Sequence, residues 1–172
     1  MNINYFVKEV IVDEIWSLIE VKNYLRISHV YDDLLIISLI DAAKETAEKF
    51  TGLCLNKKII ECKVQNTQAS LTLKYVPILE ILEISKKNNN VREIITNKFD
   101  LTNIASNQIN ITSEYIGQDL EIKFVAGYRV LPKMLRHAIL LHVSLMYDCP
   151  QEGIKLTNSI RDLYQPFRII KI

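Results

Sequence analysis

Residues 32–52 read DDLLIISLIDAAKETAEKFTG, and the rest of the chain is predicted to pack around the helix that they form. The apolar residues of this stretch recur every three or four positions, which is the spacing of one face of an α-helix. They are Ile36, Leu39, Ile40, Ala43, Ala47 and Phe50. Asp32 or Asp33 is expected to cap the first turn, because a carboxylate accepts hydrogen bonds from the free backbone N–H groups. Gly52 is expected to end the helix, because glycine adopts the left-handed conformation at no steric cost.

Three shorter or later segments also carry helix signals. Ser17 and Glu20 have the spacing of a capping box and predict a short helix over about 18–26. Leu131-Pro132 opens a second long helix over 132–147, because the first turn tolerates the missing N–H of proline. After a polar loop, residues 157–164 are expected to form one or two further helical turns. The helices thus group at the two ends of the chain.

The middle of the chain has the period-two alternation of β-strands. Polar and apolar residues alternate in KKIIECKV, residues 57–64, and most clearly in DLEIKFVAG, residues 119–127. Residues 5–12 are also expected to be extended. Connections of about two to six residues do not allow parallel crossovers, so the sheet is predicted to be antiparallel. The predicted fold class is α+β: a small helical bundle, with two main helices and short N- and C-terminal helices, and an antiparallel β-sheet inserted over about 57–127.

Length and composition limit the possible classes of protein. A chain of 172 residues with 49% hydrophobic residues fits one domain over 1–172 that buries a real core. A formal net charge of +1 is too small to indicate binding to nucleic acid or acidic membranes. No apolar run approaches the roughly 20 residues that cross a bilayer. The first residues lack the pattern of a signal peptide, so we expect a cytoplasmic protein without a membrane partner.

No residue pattern predicts catalysis, a cofactor or a metal. His137 and His142 lie five apart on one helix and point about 140° away from each other, whereas zinc-binding pairs use a spacing of four. His142 is expected to be a hydrogen-bonded core residue. Cys54, Cys62 and Cys149 form no C-x-x-C pair and have no recognisable base, so inert thiols are favoured. The four glycines are isolated, which excludes a glycine-rich phosphate loop.

One weak candidate for a nucleic-acid contact lies beside a predicted asparagine turn. Lys86, Lys87 and Arg92 flank this turn, but Glu83 and Glu93 dilute their charge. Solvated hairpin charges are therefore the favoured interpretation. A metal role for His29 is also a weak candidate, because Asp32 and Asp33 are the only carboxylates near it in the sequence.

The end of the chain, residues 157–172, combines positive charge with apolar and aromatic side chains. Aromatic and arginine anchors dominate protein interfaces, which favours a docking segment over a solvated tail. The candidate contact residues are Arg161, Leu163, Tyr164, Pro166, Phe167, Arg168 and Ile169.

Three stretches, in order, resemble the phage head–tail connector family, the adaptor proteins of tailed phages, prophages and gene transfer agents. In residues 19–52 a short helix ends in Leu-Arg-Ile and an acidic loop leads to a long helix closed by Thr-Gly. In residues 125–147 the last strand ends in Ala-Gly-Tyr and Leu-Pro opens a helix. IRDLYQPFR, residues 160–168, is similar to the family's terminal Leu-Leu-x-Pro-Tyr-Arg. The region between them resembles the β-rich insertion of the longer members.

Two departures from the family pattern concern the second half of the chain. Family members often carry an arginine-containing segment after the last helix, whereas Asp148-Cys149-Pro150 follows Tyr147 here. Phe167 replaces the terminal tyrosine, which removes a hydroxyl group only.

The resemblance implies a structural, non-enzymatic virion protein that forms a ring of about twelve copies, with head-to-tail contacts, between the portal and the tail-side stopper or terminator. DNA would pass through the lumen without sequence recognition, and a near-neutral chain suits that role, since a strongly cationic lumen would retain DNA. The segment 160–172 would dock on the portal protein and order on binding. The implied location is the head–tail interface of the virion, after synthesis in the bacterial cytoplasm, where the free protein can be a monomer.

Two other classes of function stay open at this point. One is a monomeric α+β protein-binding module or a tail-completion factor of a prophage. The other is an unrecognised hydrolase or thiol enzyme, which is disfavoured because no nucleophile–base pair is visible in the sequence.

Overall fold

The computed structural model describes residues 1–11, 16–88, 91–96, 99, 107–150 and 156–169, and the chain forms two compact units. The sheet unit comprises Met1–Asp13 and Asn56–Arg129, and the helical unit comprises Glu14–Leu55 and Val130–Ile172. The predicted α+β class is confirmed. That the whole chain behaves as a single domain stays a prediction.

The described residues of the helical unit form four α-helices. They are α1 (Leu18–Leu25), α2 (Asp33–Thr51), α3 (Lys133–Asp148) and α4 (Asn158–Tyr164). No helix within these described parts of the chain is long and apolar enough to cross a membrane.

Seven strands lie in the part of the sheet unit that the structure describes. They are β1 (Asn2–Ile11), β2 (Lys57–Gln65), β3 (Ser70–Thr72), β4 (Ile78–Asn88), β5 (Val91–Ile94), β6 (Gln108–Asn110) and β7 (Leu120–Ala126). Five of them form an antiparallel sheet in the order β1-β2-β7-β4-β5, and β3 pairs with β6. The N-terminal strand β1 therefore joins the sheet that the sequence predicted as an insertion alone.

Local signals set the ends of α1 and α2 in all but one case. The Ser17 hydroxyl accepts from the Glu20 N–H at 3.2 Å and the Glu20 carboxylate accepts from the Ser17 N–H at 3.1 Å, so the capping box is confirmed. Gly52 ends α2 with φ +78°. The predicted aspartate cap is wrong, because Asp32 makes no capping hydrogen bond and accepts from the Tyr147 hydroxyl at 2.7 Å, while Asp33 pairs with a lysine of α1.

Each unit has its own core. In the helical unit, α2 buries Ile36, Ile40, Ala43 and Ala47, while Leu39 and Phe50 are half-buried. In the sheet unit the alternation of β2 and β7 places one set of side chains inside, namely Ile60, Cys62, Val64, Leu120, Ile122 and Phe124.

The opposite face of the five-stranded sheet carries charges that pair across the strands. Lys8 on β1 lies 3.3 Å from Glu61 on β2, and Lys63 lies 3.1 Å from Glu121 on β7. Each ion pair joins neighbouring strands, so the polar half of the alternation is balanced in charge.

Candidate docking segment at the end of the chain

The predicted docking segment is folded onto the helical unit as far as Ile169. The Thr157 side chain caps α4 by accepting from the Ile160 N–H, and a 3₁₀ turn with Pro166 follows the helix. The Ile169 N–H then donates to the carbonyl oxygen of Thr51 at 2.8 Å, at the end of α2. The segment is thus ordered as far as Ile169 without a partner, whereas the resemblance implied that it orders on binding. The last three residues, including Lys171, lie outside the described residues.

Tyr164 is the one predicted contact residue of this segment that is fully buried. Its hydroxyl lies 3.2 Å from Nδ1 of His142 on α3, and its ring centroid lies 6.3 Å from that of Phe50. Burial raises the pKa of Tyr164 well above its ordinary value, so the phenol stays protonated. Tyr164 therefore attaches the segment to the helical unit.

The other predicted contact residues differ in exposure. Arg161, Pro166 and Arg168 are exposed, whereas Leu163 and Phe167 are half-buried, as is Ile169. The Arg168 guanidinium lies 5.4 Å from the centroid of the Phe50 ring, within the range of a cation–π contact. The segment thus presents two arginines and a proline to solvent on a base of apolar side chains.

Glycine at the end of α2 permits the close approach of the segment. A Cβ added at Gly52 would lie 3.7 Å from Cβ of Ile169, and the positive φ of Gly52 disfavours any other residue. The same glycine therefore ends the helix and accommodates the returning chain. The sequence indicated only the first of these roles.

Each of the three histidines lies close to another side chain. His142 is buried beside Tyr164, which confirms the predicted core role. His137 is exposed, with its ring 6.1 Å from that of Tyr24. Nε2 of His29 lies 3.6 Å from Asp32. Within the described parts of the chain, no three histidine, cysteine, aspartate or glutamate side chains are grouped to hold a metal ion.

The three cysteines differ in burial. Cys62 is fully buried on β2, and this burial raises the pKa of its thiol to about 12. Near neutral pH the thiol is therefore protonated and a poor nucleophile. Cys54 is also buried, whereas Cys149 is exposed at the end of α3.

The basic side chains of the β4–β5 hairpin are paired with acidic ones. Lys86 lies 3.3 Å from Glu93, and the Arg92 guanidinium lies 2.7 Å from Glu83. These pairs agree with the interpretation as hairpin charges. The side chain of Lys87 lies outside the described set.

A surface feature that the sequence analysis did not single out lies at the start of α2. Tyr31 is 91% exposed and Leu34 is 83% exposed, and Leu35 and Ile37 are exposed as well. The sequence DDLLIISLI already indicated this exposed surface. Its exposed apolar residues do not have the helical spacing of the buried face that includes Ile36. An amphipathic helix needs only one apolar face.

Comparison with known proteins identifies the family. The family model described as “Phage gp6-like head-tail connector protein” matches residues 16–112, which is more than half of the chain. This stretch includes α1, α2 and the sheet unit from β2 to β6. No curated protein matches the chain.

Solved structures share the fold. A chain from the neck of an empty GTA particle, computed with C6 symmetry, is 17% identical, with a TM-score of 0.74 over 100% of this chain and 97% of that chain. A chain from the virion of a native gene transfer agent (GTA) particle gives 0.73 at 17% identity over the same shares. One from the neck of a native GTA particle, computed with C12 symmetry, gives 0.68 at 18% identity over 90% and 89%.

These likenesses extend over the helices and the sheet alike, so the predicted fold is confirmed beyond the region of the family match. The predicted family is confirmed as well. This chain belongs to the phage gp6-like head–tail connector protein family.

Proposed function

We propose that this connector assembles into a closed ring of about twelve copies at the head–tail interface of a virion, between the portal protein and a tail-side stopper or terminator. The observation that carries the proposal is the family match together with a shared fold along the whole chain with neck proteins of GTA particles. Those particles were computed with C6 and C12 symmetry, which are symmetries of a closed ring.

DNA passes through the lumen of this ring without sequence recognition. The formal net charge of +1 and the ion pairs across the sheet support this role, because they leave little excess positive charge to retain the phosphate backbone. The paired hairpin residues Arg92 and Glu83 support it in the same way.

The chain acts as a structural component without catalysis. The raised pKa of the buried Cys62 thiol and the use of His142 to hold Tyr164 support this part of the proposal. Both side chains belong to the cores of their units, where they contribute to packing.

The docking segment contacts the portal through its exposed side chains. Arg161, Pro166 and Arg168 are available to a partner, and the half-buried Leu163, Phe167 and Ile169 support them from below. Tyr164 contributes from inside the helical unit by fixing α4. Arginine contacts of this kind combine charge with a planar apolar surface and are common anchors at interfaces.

Co-purification with the portal protein of the same phage or prophage tests the ring and the docking segment. A truncation after Asn158 would also remove the buried Ile160 and Tyr164, so a charge reversal on the surface is the sharper change. Arg161→Glu is compared with Lys74→Glu, which reverses one exposed charge in the sheet unit. Melting temperatures measured on both variants check that each still folds.

We expect the wild-type chain and Lys74→Glu to co-purify with the portal and to give a mass of about twelve copies on it. We expect Arg161→Glu to lose about tenfold or more in affinity. A folded wild-type chain that never associates with an assembled portal would overturn the ring. Equal binding of the two variants would overturn the docking role of Arg161 alone.

A further inference from the structure

The first observation is an apolar surface on α2 that no described residue of the helical unit covers. We call it the α2 cluster; it consists of Val30, Tyr31, Leu34, Leu35 and Ile37, each of which is between 44% and 91% exposed. Scattered exposed apolar residues are normal, but these five lie within eight positions around the start of α2. A patch of several hundred Å² typically marks an interaction site.

A second apolar surface lies where α1 and α3 begin. We call it the α1–α3 cluster; it consists of Ile19, Val130 and Met134, which are 70%, 85% and 62% exposed. The first turns of the two helices are held together by the ion pair between Glu20 and Arg136, whose oxygen and nitrogen lie 2.7 Å apart. That contact lowers the pKa of the Glu20 carboxyl, so the pair is charged at neutral pH.

The two clusters are separated within the helical unit. The hydrogen bond from the Tyr147 hydroxyl to Asp32 places the end of α3 beside the start of α2, where the α2 cluster lies. Met134 is on the first turn of the same helix, about 20 Å away at 1.5 Å per residue. One small partner surface cannot cover both clusters.

One residue beside each cluster is charged, and the two charges have opposite sign. Asp32 borders the α2 cluster and contacts the Tyr147 hydroxyl and the imidazole of His29. Lys133 borders the α1–α3 cluster and is exposed. Complementary charges at the edge of an apolar contact favour one orientation of the two surfaces.

We propose that the α2 cluster of one copy packs on the α1–α3 cluster of the next copy, so that the two form one head-to-tail contact of the ring. A contact between two different surfaces of the same chain is heterologous, and it generates a ring when its rotation closes. The inference rests on the proposed function, because a chain that never self-associates has no such contact. The occupant of the α2 cluster is thus a second copy of this chain.

Complementation between two variants tests this arrangement. Leu34→Glu places a charge in the α2 cluster, and Val130→Glu places one in the α1–α3 cluster; both side chains are more than four-fifths exposed, so the fold tolerates the change. Ile116→Glu, at an exposed apolar residue of the sheet unit, is the matched control. Mass measurement, on the full chain alone and with the portal protein, gives the number of copies in each assembly.

We expect wild-type chain and Ile116→Glu to form the full ring, and each of the other two variants to weaken self-association by about 30-fold or more. An equimolar mixture of Leu34→Glu and Val130→Glu is expected to form a dimer that grows no further. Each partner in that dimer contributes its one unmodified cluster, so one contact is intact and the next is blocked.

Five results would overturn the inference. Normal rings from Leu34→Glu or Val130→Glu would overturn it and leave the ring itself standing. A mixture that stays as monomeric as its two components would also overturn it. Dimers of Val130→Glu alone would overturn it too, because they would indicate a symmetric contact through the α2 cluster. Leu34→Glu rings that fail only to bind the portal would assign the cluster to the portal. A wild-type chain without any assembly would overturn the proposed function together with the inference.

Discussion

Gly127 is the position at which a single methyl group should be most costly to the fold. It follows β7, its N–H donates to the carbonyl oxygen of Pro77 at 2.8 Å, and its φ is +123°. A Cβ added there would lie 2.5 Å from the carbonyl oxygen of Asn56 and 2.8 Å from Cα of Lys57. Both neighbours are backbone atoms, so they cannot rotate away as the end of a flexible side chain can.

The expected cost of Gly127→Ala follows from two contributions. Holding alanine at this positive φ costs about 1–3 kcal/mol. Displacing the start of β2 to relieve the contact adds about 1–3 kcal/mol, the usual range for forcing extra volume into a packed site. A total of about 2–6 kcal/mol is a large part of the roughly 5–15 kcal/mol that stabilise a typical folded protein.

Gly117→Ala is the matched control. Gly117 also has a positive φ, +82°, but a Cβ there would meet only the side-chain oxygen of Asn66 at 3.8 Å, an ordinary contact. This variant should lose about 1–2 kcal/mol from backbone strain alone. Urea unfolding followed by far-UV circular dichroism measures the free energy of unfolding of each variant. If the two variants lose the same stability within about 0.5 kcal/mol, the steric argument is wrong.

Four further predictions concern individual side chains. Tyr164→Phe, which removes the hydroxyl beside His142, should lower the free energy of unfolding in urea by about 1 kcal/mol without changing secondary structure. Thiol reagents should label Cys149 in the folded protein and Cys62 only after unfolding; labelling of both at equal rates would contradict the burial. Because the pKa of Cys62 is raised from 9.0 to about 12, its contribution to stability is complete below pH 9 and is lost as the pH rises towards 12, which alkaline unfolding measures. Ser17→Ala should cost about 1 kcal/mol by removing the cap of α1, and an unchanged melting temperature would contradict that role.

Features that depend on neighbouring residues could be predicted from the sequence. The capping box at Ser17, the glycine end of α2 and the alternation of β2 and β7 all arise from the chemistry of a few adjacent positions. The antiparallel sheet followed from the short connections between strands.

Features that depend on distant parts of the chain could not. Aspartate is a common residue at the start of a helix, but the carboxylate of Asp32 instead accepts a hydrogen bond from the Tyr147 hydroxyl, 115 positions away. Tyr164 was predicted to be a contact residue of the docking segment. Its burial depends on His142 of another helix, which no local pattern indicates. The pairing of β1 with β2 joins residues between 46 and 63 positions apart, and no local pattern specifies it. The docking segment was predicted from the composition of residues 157–172 and from the family resemblance, while the exposure of its side chains became visible only in three dimensions.

The register of the three neighbouring strands has a consequence for variation in length. Ile11 of β1 pairs with Lys57 of β2, and Lys58 pairs with Ala126 of β7, so the chain enters or leaves the sheet unit three times at one corner of the five-stranded sheet. The spacing of these three points is fixed by hydrogen bonds between adjacent strands. Residues added at the opposite end of β4 or β7 would therefore not change it, and the entropic cost of a longer loop grows only slowly. The sheet unit can gain or lose length at its far end while the chain returns to the helical unit from the same place.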